Sequence, residues 1–187
     1  MKKSILILIA LTFSLKNFAQ HSEYELQYIN EVNLLRTNPK LYADFVRTFI
    51  TNRAIDSLSK SIAIKEVIPL LDTMKSLTAY LVSEEIRFRL NEFKGIDSVN
   101  KTLFHENDFM ENSDWKHWGQ NLVMSPQSIP RMGIITLLID ISFLDRSHRN
   151  SLLSNKYTNT AVRRVVFGNE NNPFQGRIWW IQQFANN

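Results

Sequence analysis

The stretch Arg177-Ile178-Trp179-Trp180-Ile181-Gln182-Gln183-Phe184-Ala185 decides the fold class. Its Ile, Trp and Phe side chains are typical of a strand. Residues 161–167 have a similar composition, and residues 168–176, which lie between the two stretches, are rich in Gly and Asn. This pattern predicts a β-hairpin. Successive side chains of a strand face opposite sides, so one of Trp179 and Trp180 is predicted to be buried.

The chain before the hairpin carries signals for helix starts. Ser22-x-x-Glu25 is a capping-box pattern, and the apolar residues behind it recur at helical spacing. Asn38-Pro39 predicts an N-cap followed by proline at the first helical position. The chain therefore begins, after residue 20, with two predicted helices.

The middle of the chain is predicted to contain further helices. Residues 51–65 are polar and irregular in pattern, which indicates a loop with a short helix. Asp72 is predicted to cap a long helix that ends at Gly95. Pro130 is predicted to open a buried helix, because residues 132–144 are apolar nearly all round. Helices followed by a terminal hairpin predict an α+β fold.

Residues 1–20 have the composition of a secretory signal peptide. Lys2 and Lys3 precede an apolar run over residues 5–13, and Ala19 offers a small residue for cleavage. The run is shorter than the ~20 apolar residues that a membrane span needs. We therefore expect export to a secreted or periplasmic location, no membrane span after cleavage, and a single domain over residues 21–187.

The charge of the chain argues against a nucleic-acid partner. The formal net charge of +4 includes Lys2, Lys3 and Lys16, so the chain without residues 1–20 carries 4 − 3 = +1. It has no basic run of the kind that binds nucleic acid. The chain also has no cysteine, which excludes a thiol mechanism. An exported protein without disulfides is typical of a bacterial envelope or secreted setting.

The segment Ser147-His148-Arg149-Asn150 carries the clearest candidate for chemistry. A histidine here can bind a metal, transfer a proton or hydrogen-bond at a helix terminus. Asp145 lies three residues before His148, a spacing that places both on one helix face and suggests an acid–base pair. Neither Ser147 nor Ser151 lies in a context typical of a nucleophile, so a serine hydrolase is not favoured.

Four segments resemble motifs of the CAP superfamily, which comprises cysteine-rich secretory proteins, antigen 5, plant pathogenesis-related proteins and bacterial secreted relatives. They are Asn33-Leu34-Leu35-Arg36-Thr37-Asn38-Pro39, Gly119-Gln120-Asn121-Leu122, Ser147-His148-Arg149-Asn150-Ser151-Leu152-Leu153 and Trp180-Ile181-Gln182-Gln183-Phe184. They are similar to the family's N-x-x-R-x-N-P pattern, its Gly-Glu-Asn segment, its bacterial Gly-His-Arg segment and its closing aromatic strand. The resemblance extends over about residues 24–185.

The resemblance implies a three-layer α-β-α sandwich with a mainly antiparallel central sheet and a cleft on one side. In the family, two histidines and acidic residues line this cleft, and in some members they hold a divalent metal. By resemblance, His148 takes the place of the second histidine. His105 takes that of the first, with His117 as the alternative. Gln120 takes the acidic position of the Gly-Glu-Asn segment.

The resemblance leaves the remaining cleft acid open between Asp140 and Asp145. Gln120 lacks the charge that a glutamate gives a metal site, and zinc usually takes four ligands, or three protein ligands and water. We therefore expect no certain cofactor, and at most a weakly bound zinc or calcium ion on His105 and His148. The predicted ligand-binding residues are His105, Gln120, Asn121, Asp145, His148 and Arg149.

Two functions follow from the resemblance. The first is an exported CAP-like domain that binds a small polar, lipidic or peptide ligand in the histidine-containing cleft, without catalysis. The second is a metal-assisted hydrolase that acts on peptides or cell-envelope polymers. Gln120 in the acidic position favours the binding module over the enzyme. A structural or interaction protein with a vestigial cleft is a third, weaker hypothesis, and the oligomeric state stays open.

Overall fold

The computed structural model describes residues 21–92, 115–125, 129–166 and 177–186. The helices are α1 (Glu23–Thr37), α2 (Pro39–Asn52), α3 (Ser57–Ile62), α4 (Ile68–Thr73), α5 (Glu84–Glu92), α6 (Pro130–Ile139) and α7 (Ser147–Leu152). A π-helical turn (Ala63–Val67) joins α3 to α4. The strands are β1 (Leu81–Val82), β2 (His117–Ser125), β3 (Asn159–Val166) and β4 (Ile178–Asn186). The chain is α+β, and the predicted signal peptide lies outside the described residues.

The first two helices begin as the sequence predicts. The Ser22 hydroxyl accepts a hydrogen bond from the Glu25 backbone N–H at 3.3 Å, and the Glu25 carboxylate accepts one from the Ser22 N–H at 2.8 Å. The Asn38 side chain accepts from the Leu41 N–H, and Pro39 is the first residue of α2. The capping box and the Asn-Pro start are therefore confirmed.

The predicted start of the long helix at Asp72 is wrong, and its predicted end at Gly95 lies outside the described residues. Asp72 lies inside α4, and residues 74–80 are not helical. The backbone N–H of Leu77 donates instead to the Arg36 carbonyl at 2.7 Å. The N–H of Tyr80 donates to the Asn33 side chain at 2.7 Å. These bonds to α1 hold the segment extended, so helix α5 begins only at Glu84.

Two other helical segments differ in extent from the prediction. Residues 51–65 contain more helix than expected, since the Asp56 carboxylate caps α3 and the chain continues through the π-helical turn into α4. Pro130 opens α6 as predicted, but the helix ends at Ile139. Leu144, near the end of the apolar run, is 98% exposed. The buried part of this run is therefore shorter than the sequence suggests.

The four strands form one mixed sheet in the order β1-β3-β4-β2. Strand β1 pairs in parallel with β3, whereas the β3–β4 and β4–β2 pairs are antiparallel. The predicted hairpin is the β3–β4 pair, in which Trp180 lies opposite Arg164. On the other side of β4, Trp180 lies opposite Val123 of β2.

Both faces of the sheet carry apolar side chains, but the two faces pack against different helices. Val162, Trp180 and Phe184 belong to the main core, which also includes buried residues of α1, α2, α6 and α7. We call this side the core face. On the second face, Ala161 and Ile181 pack with residues of α5. Trp180 is fully buried while Trp179 is half-buried, as strand alternation predicts.

Among the helices within the described ranges, none combines the length and the apolar character that a membrane crossing needs.

Candidate functional site

The side chains of Asp140 and His148 form a hydrogen-bonded pair on the core-face side of the molecule. Asp140 Oδ1 lies 2.8 Å from His148 Nδ1. Asp140 Oδ2 accepts from the backbone N–H groups of His148 at 2.9 Å and of Arg149 at 3.3 Å. The carboxylate thus binds one ring nitrogen and two backbone donors at the start of α7. The acid partner of His148 is Asp140, not Asp145.

The backbone around Asp140 explains why it can reach α7. Asp140 follows the last residue of α6 and adopts a left-handed conformation, with φ 49° and ψ 51°. Aspartate tolerates this region better than most residues because its short polar side chain can bond locally. The turn reverses the chain and places the carboxylate over the N-terminal N–H groups of α7, which need acceptors. Asp145 caps the same helix separately, since its Oδ1 accepts from the Ser147 N–H at 3.1 Å.

His148 presents its second ring nitrogen away from Asp140. The side chain of Asp140 is 1% exposed, whereas that of His148 is 18% exposed. Within the described part of the chain, His148 Nε2 has no hydrogen-bond partner, and it is not fully buried. The Phe143 ring lies edge-on to the imidazole, with 4.7 Å between ring centroids. A carboxylate on Nδ1 fixes the orientation of the ring and leaves Nε2 to meet a ligand.

The Arg149 side chain is directed towards α6 and Glu66 and does not contact the His148 ring. It is buried, and its guanidinium donates to the carbonyls of Leu138 and Ile139 at the end of α6. It also donates to Glu66 Oε2 at 2.9 Å. Arg149 therefore anchors α7 to α6 and to the π-helical turn.

Glu66 binds a second arginine as well. Arg146 donates to both oxygens of Glu66, at 3.0 and 2.9 Å. It donates in addition to the carbonyls of Asp140 and Phe143. Hydrogen bonds from Arg146, followed by those from Arg149, outweigh the effect of burial and lower the pKa of Glu66 to about 2.

We expect the ion pairs of Glu66 with Arg146 and Arg149 to stabilise the protein less in acid. A carboxyl group whose pKa is lowered in the folded state adds stability that is present above its ordinary value of 4.5 and lost as the pH falls towards 2. Native protein and Glu66→Gln should therefore differ in free energy of unfolding at pH 6 and converge near pH 2.5. Because the Glu66 side chain is 38% exposed, we expect a difference of only about 1 kcal/mol at pH 6.

Urea unfolding of both proteins at these two pH values checks the prediction. Glu25→Gln serves as a second acid-sensitive variant. Burial would raise the pKa of Glu25, but the His21 side chain, 3.7 Å away, and hydrogen bonds from the backbone N–H groups of Arg164 and Ser22 lower it to about 2. A Glu66→Gln difference that is the same at pH 6 and pH 2.5 would contradict the assignment of the acid effect to this carboxyl group.

Asn121 lies next to the site, but Gln120 does not. Asn121 is buried on the core face, and its side-chain N–H donates to the His148 carbonyl at 3.1 Å. Gln120 faces the second side of the sheet, where its Oε1 accepts from Gln183 at 3.1 Å. Successive strand residues face opposite sides. The structure therefore brings Asn121, His148 and Arg149 together and separates Gln120 from them by the thickness of the sheet.

Glycine is required at position 119, in the same segment, because the Tyr157 ring occupies the space of a side chain. A Cβ atom at this position would lie 2.7 Å from the Tyr157 hydroxyl oxygen and 3.0 Å from its Cζ. That hydroxyl donates to the Trp118 carbonyl, and the Tyr157 ring stacks on Phe184. A side chain at position 119 would therefore displace a ring that is held on two sides.

The structure does not bring another predicted metal ligand together with His148 among the described residues. His105 lies outside the described residues. His117, the alternative, is exposed at the start of β2, opposite Asn186. Within residues 21–92, 115–125, 129–166 and 177–186, no three His, Cys, Asp or Glu side chains are grouped to hold a metal. The predicted zinc or calcium site stays a prediction.

The sequence argument missed Glu66 and Arg146. Glu66 directly follows residues 51–65, the segment predicted to be irregular, and it lies some eighty residues from its partners, so no local pattern links them. No sequence pattern marks Arg146 either, and its left-handed backbone, with φ 56°, is known only from the structure.

Comparisons of the chain with protein-family models, with curated proteins and with solved structures gave no match.

Proposed function

We propose that this chain is an exported, CAP-like ligand-binding domain that uses His148 Nε2 as its recognition group. The observation that carries the proposal is the Asp140–His148 pair, in which a buried carboxylate holds Nδ1 at 2.8 Å. The ligand is a small polar, lipidic or peptide molecule with a hydrogen-bonding group that meets Nε2. The setting is secreted or periplasmic.

The distribution of helices supports the CAP-like part of the proposal. Apolar clusters lie on both faces of the sheet, one with helices α1, α2, α6 and α7 and one with α5. A central sheet covered on both faces is what a three-layer α-β-α sandwich requires. The Asn33 and Arg36 side chains of the first motif both bond to distant backbone, which gives that motif a structural role.

The chemistry of the pair supports binding. A neutral imidazole with Nδ1–H bonded to a carboxylate offers a lone pair at Nε2, and a protonated one offers a donor. No nucleophilic side chain is bonded to Nε2 among the described residues, and the Ser151 hydroxyl donates to the Ser147 carbonyl inside α7. The Phe143 ring adds an apolar surface beside the imidazole. The site is thus suited to hold one polar group beside an apolar one.

We expect His148→Asn to weaken ligand binding by roughly tenfold or more, with little change in stability. The asparagine amide can still donate to Asp140 from near the Nδ1 position, but it has no group in place of Nε2. His148→Gln tests the opposite case. Its longer amide reaches towards the Nε2 position, but it has no group near the Nδ1 position to bond Asp140. His117→Gln is the matched control for an exposed histidine.

The measurement is an NMR titration of isotope-labelled protein with triglycine, a lysophospholipid below its micellar concentration, and zinc chloride. Saturable shifts of the His148 ring resonances by the peptide or the lipid, lost in His148→Asn and kept in His117→Gln, would support the proposal. Failure of all three probes to shift His148 would count against it. Tight zinc binding that depends on His148 would favour the metal-assisted hydrolase.

A further inference from the structure

A cavity lies beyond the C-terminal end of α7, away from Asp140 and His148 at its start. Its volume is about 540 Å³. Three stretches of chain form it: the end of α1, residues 76–81, and residues 155–158 after α7. Cavities of roughly 300–1,000 Å³ are the usual size of small-molecule sites. Its lining residues are Arg36, Ser76, Leu77, Thr78, Ala79, Leu81, Asn155, Tyr157 and Thr158.

Arg36 is the charged residue of this cavity, and it is 1% exposed. Its Nε donates to the Thr78 carbonyl at 2.8 Å. Its Nη1 lies 2.8–2.9 Å from the Tyr80 hydroxyl and the carbonyls of Leu152 and Ser154. These bonds hold the guanidinium plane in one position.

All of these partners are neutral. The ion pairs found among the described residues include none with Arg36. The cavity lining contains no aspartate or glutamate. A buried cation is normally paired with an anion, because neutral dipoles compensate only part of its lost hydration. Arg36 therefore carries a positive charge that no carboxylate of the described chain balances.

One guanidinium nitrogen of Arg36, Nη2, has no hydrogen-bond partner among the described residues. Of the three guanidinium nitrogens, Nε and Nη1 have partners, and within the described residues Nη2 has none. Nη2 is also not among the fully buried polar atoms. Since Arg36 lines the cavity, its two Nη2 hydrogens are the donors that the cavity can use.

The rest of the lining is divided between hydroxyl or amide groups and apolar groups. Ser76, Thr78, Asn155 and Thr158 supply polar side chains. Leu77, Ala79 and the Tyr157 ring supply apolar surface, and Leu81, an edge-strand leucine, is 66% exposed at the rim. A simple ion would fill a small part of this volume and would leave the apolar wall in water.

We propose that this cavity binds a small organic oxyanion, with a carboxylate or phosphate on Arg36 Nη2 and an apolar body against Leu77, Leu81 and Tyr157. The site is separate from the one proposed at His148, because the two lie at opposite ends of α7. It stands whether or not His148 binds a ligand.

The test uses benzoate and phenyl phosphate as probes, which share the apolar body and differ in the oxyanion. Benzyl alcohol lacks the charge and acetate lacks the apolar body. Binding is followed by calorimetry and by the shift of the Arg36 side-chain Nε–H resonance in NMR spectra. Asn155→Asp places a carboxylate in the cavity wall, in contact with solvent, and leaves Arg36 and its bonds intact. Asn155→Ala removes the same amide without adding charge.

We expect saturable binding of benzoate or phenyl phosphate, with the tighter probe identifying the oxyanion, and weaker binding of benzyl alcohol and acetate. Asn155→Asp should weaken binding by roughly tenfold or more through repulsion, and Asn155→Ala by less than about threefold. The proposal is overturned if the native protein binds neither aromatic anion, if benzyl alcohol binds as tightly, or if Asn155→Asp leaves the affinity unchanged.

Discussion

Replacing Arg36 with methionine is expected to lower the free energy of unfolding by about 3 kcal/mol or more. The change removes the donors that Arg36 supplies to the carbonyls of Thr78, Leu152 and Ser154. The Tyr80 hydroxyl, 3.3–3.4 Å from the last two carbonyls, has a single hydrogen and replaces only part of this loss. Each carbonyl that is left buried without a partner costs about 1–3 kcal/mol. The Tyr80 hydroxyl and its ring, which stacks 3.7 Å from the guanidinium carbon, also lose their contact with Arg36.

One effect works in the opposite direction. Arg36 is 1% exposed and has no carboxylate partner among the described residues, so removing its charge recovers a desolvation cost. Apolar replacements of buried charges are close to neutral only when both partners are replaced together. Here the acceptors are backbone carbonyls and cannot be removed, so we expect the destabilising effect to prevail.

Arg36→Lys separates charge from geometry. Lysine keeps the positive charge, but one ammonium group cannot reproduce the fork that bonds Thr78 on one side and Leu152 and Ser154 on the other. We expect this variant to be destabilised by less than Arg36→Met. Arg53→Met, an exposed arginine at the end of α2, should change the stability by less than about 0.5 kcal/mol. Urea denaturation followed by tryptophan fluorescence measures all three variants. Equal stability of Arg36→Met and native protein would show that these bonds do not hold α7 to α1.

The parts of the fold that the sequence predicts correctly are those fixed by neighbouring residues. The Ser22–Glu25 capping box spans four residues, and the Asn38-Pro39 start depends on two. The β3–β4 hairpin follows from composition and a turn-rich connector between adjacent strands. The capping partners lie within three residues of each other, and the two strands of the hairpin follow each other along the chain, so the local sequence pattern is sufficient to predict them.

The errors arise where distant residues determine the backbone. Residues 74–80 have apolar spacing that suits a helix, yet the Leu77 and Tyr80 N–H groups bond to Arg36 and Asn33 of α1, more than forty residues away. These tertiary hydrogen bonds replace those that the helix would have made. Local sequence patterns cannot predict hydrogen bonds between residues so far apart in the chain.

The same reason limits the prediction of the candidate site. The sequence identifies His148 and leaves the remaining acid open between Asp140 and Asp145, and it suggests Asp145 as an acid–base partner because Asp145 lies three residues before His148. The left-handed turn at Asp140 ends α6 before the run of apolar residues does, and this turn aims the buried carboxylate at the ring. Gln120 is placed on the far face by strand register, which becomes certain only when the pairing with Gln183 is known.

Replacing Asp140 with alanine is expected to lower the free energy of unfolding by about 3–5 kcal/mol. The change leaves the N–H groups of His148 and Arg149 without their acceptor, at a cost of about 1–3 kcal/mol for each buried group. It also places alanine at φ 49°, a region that costs most residues about 1–2 kcal/mol. The loss of an N-terminal cap adds to the effect on α7.

Asp140→Asn separates these contributions. Asparagine tolerates the left-handed region and keeps one oxygen as an acceptor, so the strain of the alanine variant is absent. It loses the negative charge, and with it the charge-assisted character of the bonds to His148 and Arg149. We expect a loss of about 1–2 kcal/mol for Asp140→Asn. Asp145 is exposed, and its side chain accepts only from the Ser147 N–H among the described residues, so Asp145→Asn should lose less than about 0.5 kcal/mol.

The order of the three variants distinguishes the two carboxylates, because both cap α7 but only Asp140 is buried. Denaturant midpoints give the stabilities, and histidine ring NMR resonances report the loss of the Nδ1 bond in Asp140→Asn and its retention in Asp145→Asn. If Asp145→Asn destabilised the protein as much as Asp140→Asn, the cap at Asp145 would hold α7 equally well. That result would contradict the larger share in the stability of α7 that we assign to the buried Asp140 carboxylate.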